Sequence, residues 1–78
     1  MFSKEIRLKS IDDIKKFVSA VSGCAYDVDM MSGRYQVDAK SIMGIFSLDL
    51  SSPVKVILMT NDEKESRPFL DFLDGFSE

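Results

Sequence analysis

The chain has 78 residues, of which 45% are hydrophobic and 29% are charged. This balance is typical of one small folded domain over residues 1–78 and not of a disordered segment. The formal net charge of −3 argues against a sequence-independent nucleic-acid-binding protein, because such a protein needs a basic surface. No apolar stretch approaches the ~20 residues of a membrane span, so neither nucleic acid nor membrane is a predicted partner.

The first two predicted elements are a half-buried strand and an amphipathic helix. Apolar and polar residues alternate from Phe2 to Leu8, as in a strand with one buried face, although Lys4 interrupts the apolar side. Ser10 is the predicted N-cap of the helix, and Asp13 follows it at the spacing of a capping box. Gly23 is the predicted end of the helix. Its apolar face repeats every three or four residues and consists of Ile11, Ile14, Phe17, Val18 and Val21.

Two further strands and a turn follow. Residues 25–31 and residues 35–39 both alternate in polarity. Ser32 and Gly33 lie between them, and glycine accepts the positive φ that a tight turn often needs. The two segments therefore predict a β-hairpin.

Residues 41–48 are predicted to form a short helix that is apolar on nearly all sides. Ser41 is a good N-cap, and Gly44 in the helix interior indicates close packing against a neighbouring element. A helix of two turns cannot bury every side, so some of these apolar side chains should be exposed, and an exposed apolar patch suggests partner binding. The alternative is that all of them fill the core. The pattern alone leaves these two alternatives open.

The last two predicted elements are a central strand and a helix. Residues 54–59 are apolar apart from Lys55, which fits a strand covered by helices on one face. Asn61 and Asp62 can cap the final helix, while Pro68 either begins that helix or kinks it. The order βαββαβα predicts a two-layer α+β domain with helices on one face of an antiparallel sheet.

The residue types present exclude most familiar active sites. The chain contains no histidine and one cysteine, Cys24, so it can form neither the usual zinc sites nor Ser–His or Cys–His pairs. Glycine-rich phosphate-binding loops are absent from the sequence. We therefore predict no catalytic residue, no metal site and no cofactor. A single cysteine also favours a cytoplasmic location, and we expect Cys24 to be a packing residue near a helix end.

One segment resembles a known family. The sequence Lys40-Ser41-Ile42-Met43-Gly44, followed by Ser47-Leu48, is similar to the KSIMG-x-x-SL segment of HPr, the histidine-containing phosphocarrier of the bacterial sugar phosphotransferase system. The predicted element order and the chain length also resemble those of HPr. The resemblance implies an open-faced sandwich with sheet order 1-4-2-3 and three helices on one face.

The functional residues of that family carry over unevenly. In HPr a phosphate-accepting histidine precedes the first long helix, with an arginine and a proline beside it. The corresponding residues 9–13 lack all three and place Asp12 and Asp13 in the first helical turn, where two acids suit the helix dipole but repel a phosphate.

The second helix of the family is better preserved. Ser41 matches the regulatory serine that a dedicated ATP-dependent kinase phosphorylates in many relatives. Ile42, Met43 and Phe46 match the patch that docks on enzyme I, HPr kinase and transcriptional regulators.

These observations lead to a main hypothesis and two alternatives. The main hypothesis is a non-catalytic HPr-like domain that binds a protein partner through Ile42, Met43 and Phe46, with Ser41 as a kinase target. The first alternative is a phosphotransfer component whose acceptor is Ser41, Ser10 or an aspartate. The second is a homodimer that uses the same helix patch.

Overall fold

The computed structural model describes residues 1–76. Four strands and three helices follow one another in the predicted order βαββαβα. Their bounds are β1 Phe2–Ile6, α1 Ile11–Ser22, β2 Val28–Ser32, β3 Tyr35–Asp38, α2 Ile42–Phe46, β4 Val54–Leu58 and α3 Glu63–Asp74. No helix in residues 1–76 is long and apolar enough to cross a bilayer.

The four strands form one antiparallel sheet in the order β1-β4-β2-β3. Ile6 at the end of β1 pairs with Val54 at the start of β4, and Met30 of β2 pairs with Val56. The end of β1, which leads to α1, therefore lies beside the start of β4, which follows α2. The strand order and the α+β class implied by the resemblance are both confirmed.

The core lies between the sheet and its helical layer. In the central strand β4, Val54, Val56 and Leu58 are fully buried, while Lys55 on the opposite face is exposed. The helices contribute large side chains to the same core, and the rings of Phe17 and Phe69 lie 6.1 Å apart. Burial therefore alternates along β4, as expected for a strand that helices cover on only one face.

Side-chain caps fix where the two long helices begin. The Ser10 hydroxyl accepts a hydrogen bond from the Asp13 N–H at 3.1 Å, as predicted for an N-cap. The Asp13 carboxylate accepts from the Lys9 N–H at 3.0 Å and not from the Ser10 N–H, so the reciprocal half of the capping box is displaced by one residue. In α3, the Asp62 carboxylate accepts from two backbone N–H groups in the first turn.

Several predicted boundaries were wrong. Asp62 caps the final helix as predicted, and the helix begins at Glu63 with Pro68 inside it, so the alternative of a start near Pro68 was wrong. The Lys64 carbonyl cannot accept from a proline, but Lys64 and Pro68 are both exposed, so water can solvate that carbonyl. In addition, α2 is shorter than the predicted residues 41–48 and spans only Ile42–Phe46. Strand β2 starts at Val28 and not at residue 25.

One residue of the predicted core is also misplaced. Ile14, Phe17 and Val21 of α1 are buried, but Ile11 is 63% exposed. Ile11 keeps the helical spacing of the buried residues, yet it occupies the first helical position at the margin of the core.

Candidate functional site

The turn before α2 sets the direction of that helix. The Asp38 carbonyl accepts from the Ser41 N–H at 3.0 Å, and the Asp38 carboxylate accepts from the Lys40 N–H at 2.9 Å. The Ser41 hydroxyl oxygen then accepts from the Gly44 N–H at 3.2 Å, which makes Ser41 the N-cap. Ser41 itself is exposed, so its hydroxyl lies at the protein surface while it caps the helix.

Two buried side chains and one glycine hold α2 against the sheet. Ile45 is fully buried and Leu48, just past the helix, is nearly so. A methyl group on Gly44 would lie 3.2 Å from Val37 Cβ and 3.3 Å from Ser41 Oγ, closer than ordinary contacts. The absence of a side chain at Gly44 therefore allows the helix to lie directly on β3.

The remaining apolar residues of α2 face solvent. Ile42 is 43% exposed, Met43 is 78% exposed and Phe46 is 51% exposed. Because Ile45 alone of the four large apolar side chains in α2 is buried, the helix presents three large apolar groups on its outer side. We call Ile42, Met43 and Phe46 the α2 patch; the structure thus answers the question of exposure that the sequence left open.

The loop after α2 is tied to the end of β1. The Arg7 guanidinium donates a hydrogen bond to the Ser51 carbonyl at 2.7 Å. The Asp49 carboxylate accepts from the Ser51 N–H at 3.0 Å. Hydrogen bonds from the Ser51 hydroxyl and then from its backbone N–H lower the pKa of Asp49. These contacts hold the exit of α2 beside the segment that leads into α1.

The start of α1 is where the resemblance would place a phosphate-accepting histidine. Ser10 Oγ is occupied as the cap acceptor, and Asp12 and Asp13 both lie in the first turn. A hollow of about 380 Å³ beside this turn is lined by Asp13 together with three cations and two aromatic rings, namely Arg7, Lys9, Lys16, Phe72 and Phe76. The charges at this end of the protein are therefore mixed. The prediction that Asp12 and Asp13 repel a phosphate here did not take into account the positive charges of Arg7, Lys9 and Lys16.

A second groove, of about 420 Å³, lies between the end of α1 and α3. It is lined by Cys24, Tyr26, Phe69 and Phe72 among others. Cys24 is partly buried and its thiol lies 3.6 Å from the Ala20 carbonyl. The Tyr26 hydroxyl is buried and has no hydrogen-bond partner within residues 1–76. Burial, followed by the neighbouring Cys24 thiol, raises the pKa of Tyr26 well above its ordinary value.

Sequence reasoning missed the exposure of Ile11 and the buried hydroxyl of Tyr26. Ile11 keeps the helical period, so pattern alone assigns it to the core. Tyr26 fits the alternation of the predicted strand, but it precedes the first paired residue of β2. Neither feature has a signal in the sequence that would have revealed it.

The comparisons with known proteins agree with the geometry. Residues 13–74, which are most of the chain, match the family model described as PTS HPr component phosphorylation site. The fold is similar to the crystal structure of HPr-C-His from Thermoanaerobacter tengcongensis, with a TM-score of 0.76 and 25% identity over 96% of this chain and 93% of that chain. No curated protein shows a significant sequence match. The chain therefore belongs to the HPr family of the phosphotransferase system.

Proposed function

We propose that this HPr-family member is a non-catalytic interaction domain that docks on a protein partner through the α2 patch. The observation that carries the proposal is the outward orientation of Ile42, Met43 and Phe46 on a helix held in place by buried Ile45. Contiguous exposed apolar side chains are typical of interaction sites, and aromatic and methionine side chains are enriched at the centre of interfaces. Proteins of the phosphotransferase system and transcriptional regulators associated with it are the proposed partners, and the cytoplasm is the proposed location.

Phosphate transfer from the start of α1 is not part of this proposal. The chain has no histidine, so it cannot form a phosphohistidine. The match to the family model begins at residue 13, after Ser10. Ser10 Oγ accepts a backbone hydrogen bond as the N-cap of α1, as Ser41 Oγ does for α2, so this contact alone does not distinguish the two hydroxyls.

Ser41 is the proposed regulatory residue of the α2 patch. It is exposed and precedes Ile42 directly, so a kinase could reach its hydroxyl without unfolding the helix. A phosphate there would add about −1.5 to −2 charges at neutral pH beside an apolar surface. We expect this charge to weaken binding of an apolar partner surface and to favour a partner that offers arginine side chains.

The docking proposal is tested by measuring binding of purified enzyme I, HPr kinase and a transcriptional regulator of the system. The double variant Met43→Ala, Phe46→Ala is expected to lose about tenfold or more in affinity for the partner that binds. The control is Tyr35→Ala, because Tyr35 is also large and exposed but lies on β3, outside the α2 patch. Equal affinity of the double variant and of this control for every partner that binds the wild type would refute docking through the α2 patch.

Phosphorylation requires a separate experiment. Incubation with HPr kinase and ATP is expected to add the mass of one phosphate to the wild type and none to Ser41→Ala. Incubation with enzyme I and phosphoenolpyruvate is expected to leave the chain unlabelled. Label from phosphoenolpyruvate would contradict the non-catalytic proposal and support a non-histidine acceptor.

A further inference from the structure

The face of the sheet that points away from the helices carries an unusual set of side chains. Strand register places Asp38, Asp29, Ile57 and Ser3 in one row across the four strands, and Gln36, Met31, Lys55 and Glu5 in the next row. Within residues 1–76 no helix covers this face. We call it the open face.

The centre of the open face is apolar. Met31 and Ile57 are half-buried, and Met59, which continues the same alternation along β4, is 39% exposed. The solvated face of an antiparallel sheet is ordinarily polar. Methionine side chains adapt their shape to different partners, so this strip is suited to contact with an apolar surface.

The border of the apolar strip is acidic. Asp27, Asp29 and Asp38 lie on its β2–β3 side, and Glu5 lies on its β1 side, while Lys55 is the one basic side chain in the two rows named above. The residues named therefore give the open face a net negative charge. Opposite charges on a partner would be attracted to it and like charges repelled.

Two acids on this face lie on neighbouring strands at the same level of the sheet. Asp29 lies directly opposite Asp38 in the β2–β3 ladder, and like charges at such positions are destabilising. The Gln36 side-chain amide donates to one Asp29 carboxylate oxygen at 2.7 Å, and the Lys40 N–H donates to one Asp38 carboxylate oxygen at 2.9 Å. A cation placed over the pair would interact favourably with both carboxylates.

We propose that the open face binds a basic, partly apolar segment of a second protein partner. Lysine or arginine side chains of that segment would contact Asp29, Asp38 and Asp27, and its aliphatic side chains would lie on Met31, Ile57 and Met59. The negative charge of the open face argues against three other candidates, namely a second copy of the chain, an anionic lipid surface and a nucleic acid. A second copy of the chain would bring one acidic face against another, and anionic lipid surfaces and nucleic acids would be repelled.

This surface is independent of the α2 patch. The α2 helix lies in the helical layer, in contact with Val37 on the covered side of the sheet, and the open face lies on the other side. A partner on each surface could therefore be held at the same time, which would make the domain a bridge between two proteins.

The probe for the test is a synthetic peptide in which lysine and leucine alternate, and a peptide with glutamate in place of lysine is its control. Titration of the isotope-labelled protein with the lysine peptide is expected to shift amide resonances of β2, β3 and β4 while those of α2 stay in place. The glutamate peptide is expected to cause no shifts. Shifts centred on α2, or equal binding of both peptides, would overturn the proposal.

A pair of charge-matched variants separates a specific site from general electrostatic attraction. Asp27→Asn, Asp29→Asn, Asp38→Asn keeps an oxygen acceptor at each position and is expected to weaken binding of the lysine peptide about tenfold. The control variant carries the same charge change on the helical layer, at Asp12→Asn, Glu63→Gln and Asp71→Asn, and is expected to weaken binding less than about twofold. Equal losses in the two variants would show that net charge alone attracts the peptide and would refute the site.

Discussion

Gly44→Ala is expected to destabilise the protein although alanine is a better helix former than glycine. In an unconstrained helix interior this change would stabilise by about 1 kcal/mol. Here the new methyl group would lie 3.2 Å from Val37 Cβ and 3.3 Å from Ser41 Oγ. Val37 Cβ is fixed by its strand, and Ser41 Oγ is the cap acceptor, so neither can move without loss.

The magnitude follows from the opposing effects. Overpacking at a fixed contact is unfavourable by about 1–3 kcal/mol, and weakening the cap adds up to about 1 kcal/mol. After the gain in helix propensity, these ranges give a loss in the free energy of unfolding of about 0–3 kcal/mol, and we expect a value near the middle of that range. For a domain of this size each kcal/mol lowers the melting temperature by about 4–8 °C, so both urea and thermal unfolding can resolve the change.

Gly23→Ala is the matched control for this prediction. A methyl group at Gly23 would meet only the Ala20 carbonyl oxygen, at 3.5 Å, and its φ of −85° is open to alanine. We expect unchanged stability or a gain of up to about 1 kcal/mol. Stabilisation by Gly44→Ala to the same extent would refute close packing of α2 on β3 as the reason for glycine at this position.

Three further predictions concern the rest of the domain. Tyr26→Phe removes a buried hydroxyl that has no partner in the described residues, so unfolding in urea should show a gain of about 1 kcal/mol, whereas Tyr35→Phe, at an exposed site, should change little. Because the folded chain holds the Tyr26 proton more tightly than the unfolded chain, stability should decrease as pH rises above about 10, the ordinary pKa of tyrosine. This part of the pH dependence should be absent in Tyr26→Phe, and its persistence there would assign it to other groups. Asp62→Ala removes the cap that accepts from two N–H groups of α3 and should lower stability by about 1 kcal/mol; unchanged thermal unfolding would show that water replaces the cap fully.

Periodicity in the sequence was sufficient for the element order and for most of the core. The spacing of Ile14, Phe17 and Val21 in α1 correctly placed their side chains inward, and the apolar run of residues 54–59 correctly predicted a strand, although it did not say which of its side chains are buried. Periodicity does not predict burial reliably at the ends of elements, because it does not show where the neighbouring elements stop covering a residue. Ile11 fits the period of the buried face, yet it is exposed because it lies at the first position of α1, at the margin of the core.

The α2 segment shows a different limit. Its apolar residues are so dense that no period selects a buried side. The choice is made by tertiary contacts, because Gly44 lies against Val37 and directs Ile45 inward. Likewise, Pro68 left two alternatives open, a helix start or a kink, while the cap predicted at Asp62 correctly marked the start of α3 at Glu63. The net negative charge of the open face was also not predicted, because the pairing of the strands, which the sequence does not show, brings its acidic residues together.

The most direct test of docking through the α2 patch is to map the contact surface of a partner. Amide resonances of the isotope-labelled protein would be followed during titration with purified enzyme I, HPr kinase or a transcriptional regulator of the phosphotransferase system. We expect the partner that binds to shift or broaden the resonances of residues 41–48 most strongly, with Met43 and Phe46 at the centre. A bound partner whose perturbations lie elsewhere and leave residues 41–48 unchanged would contradict this expectation.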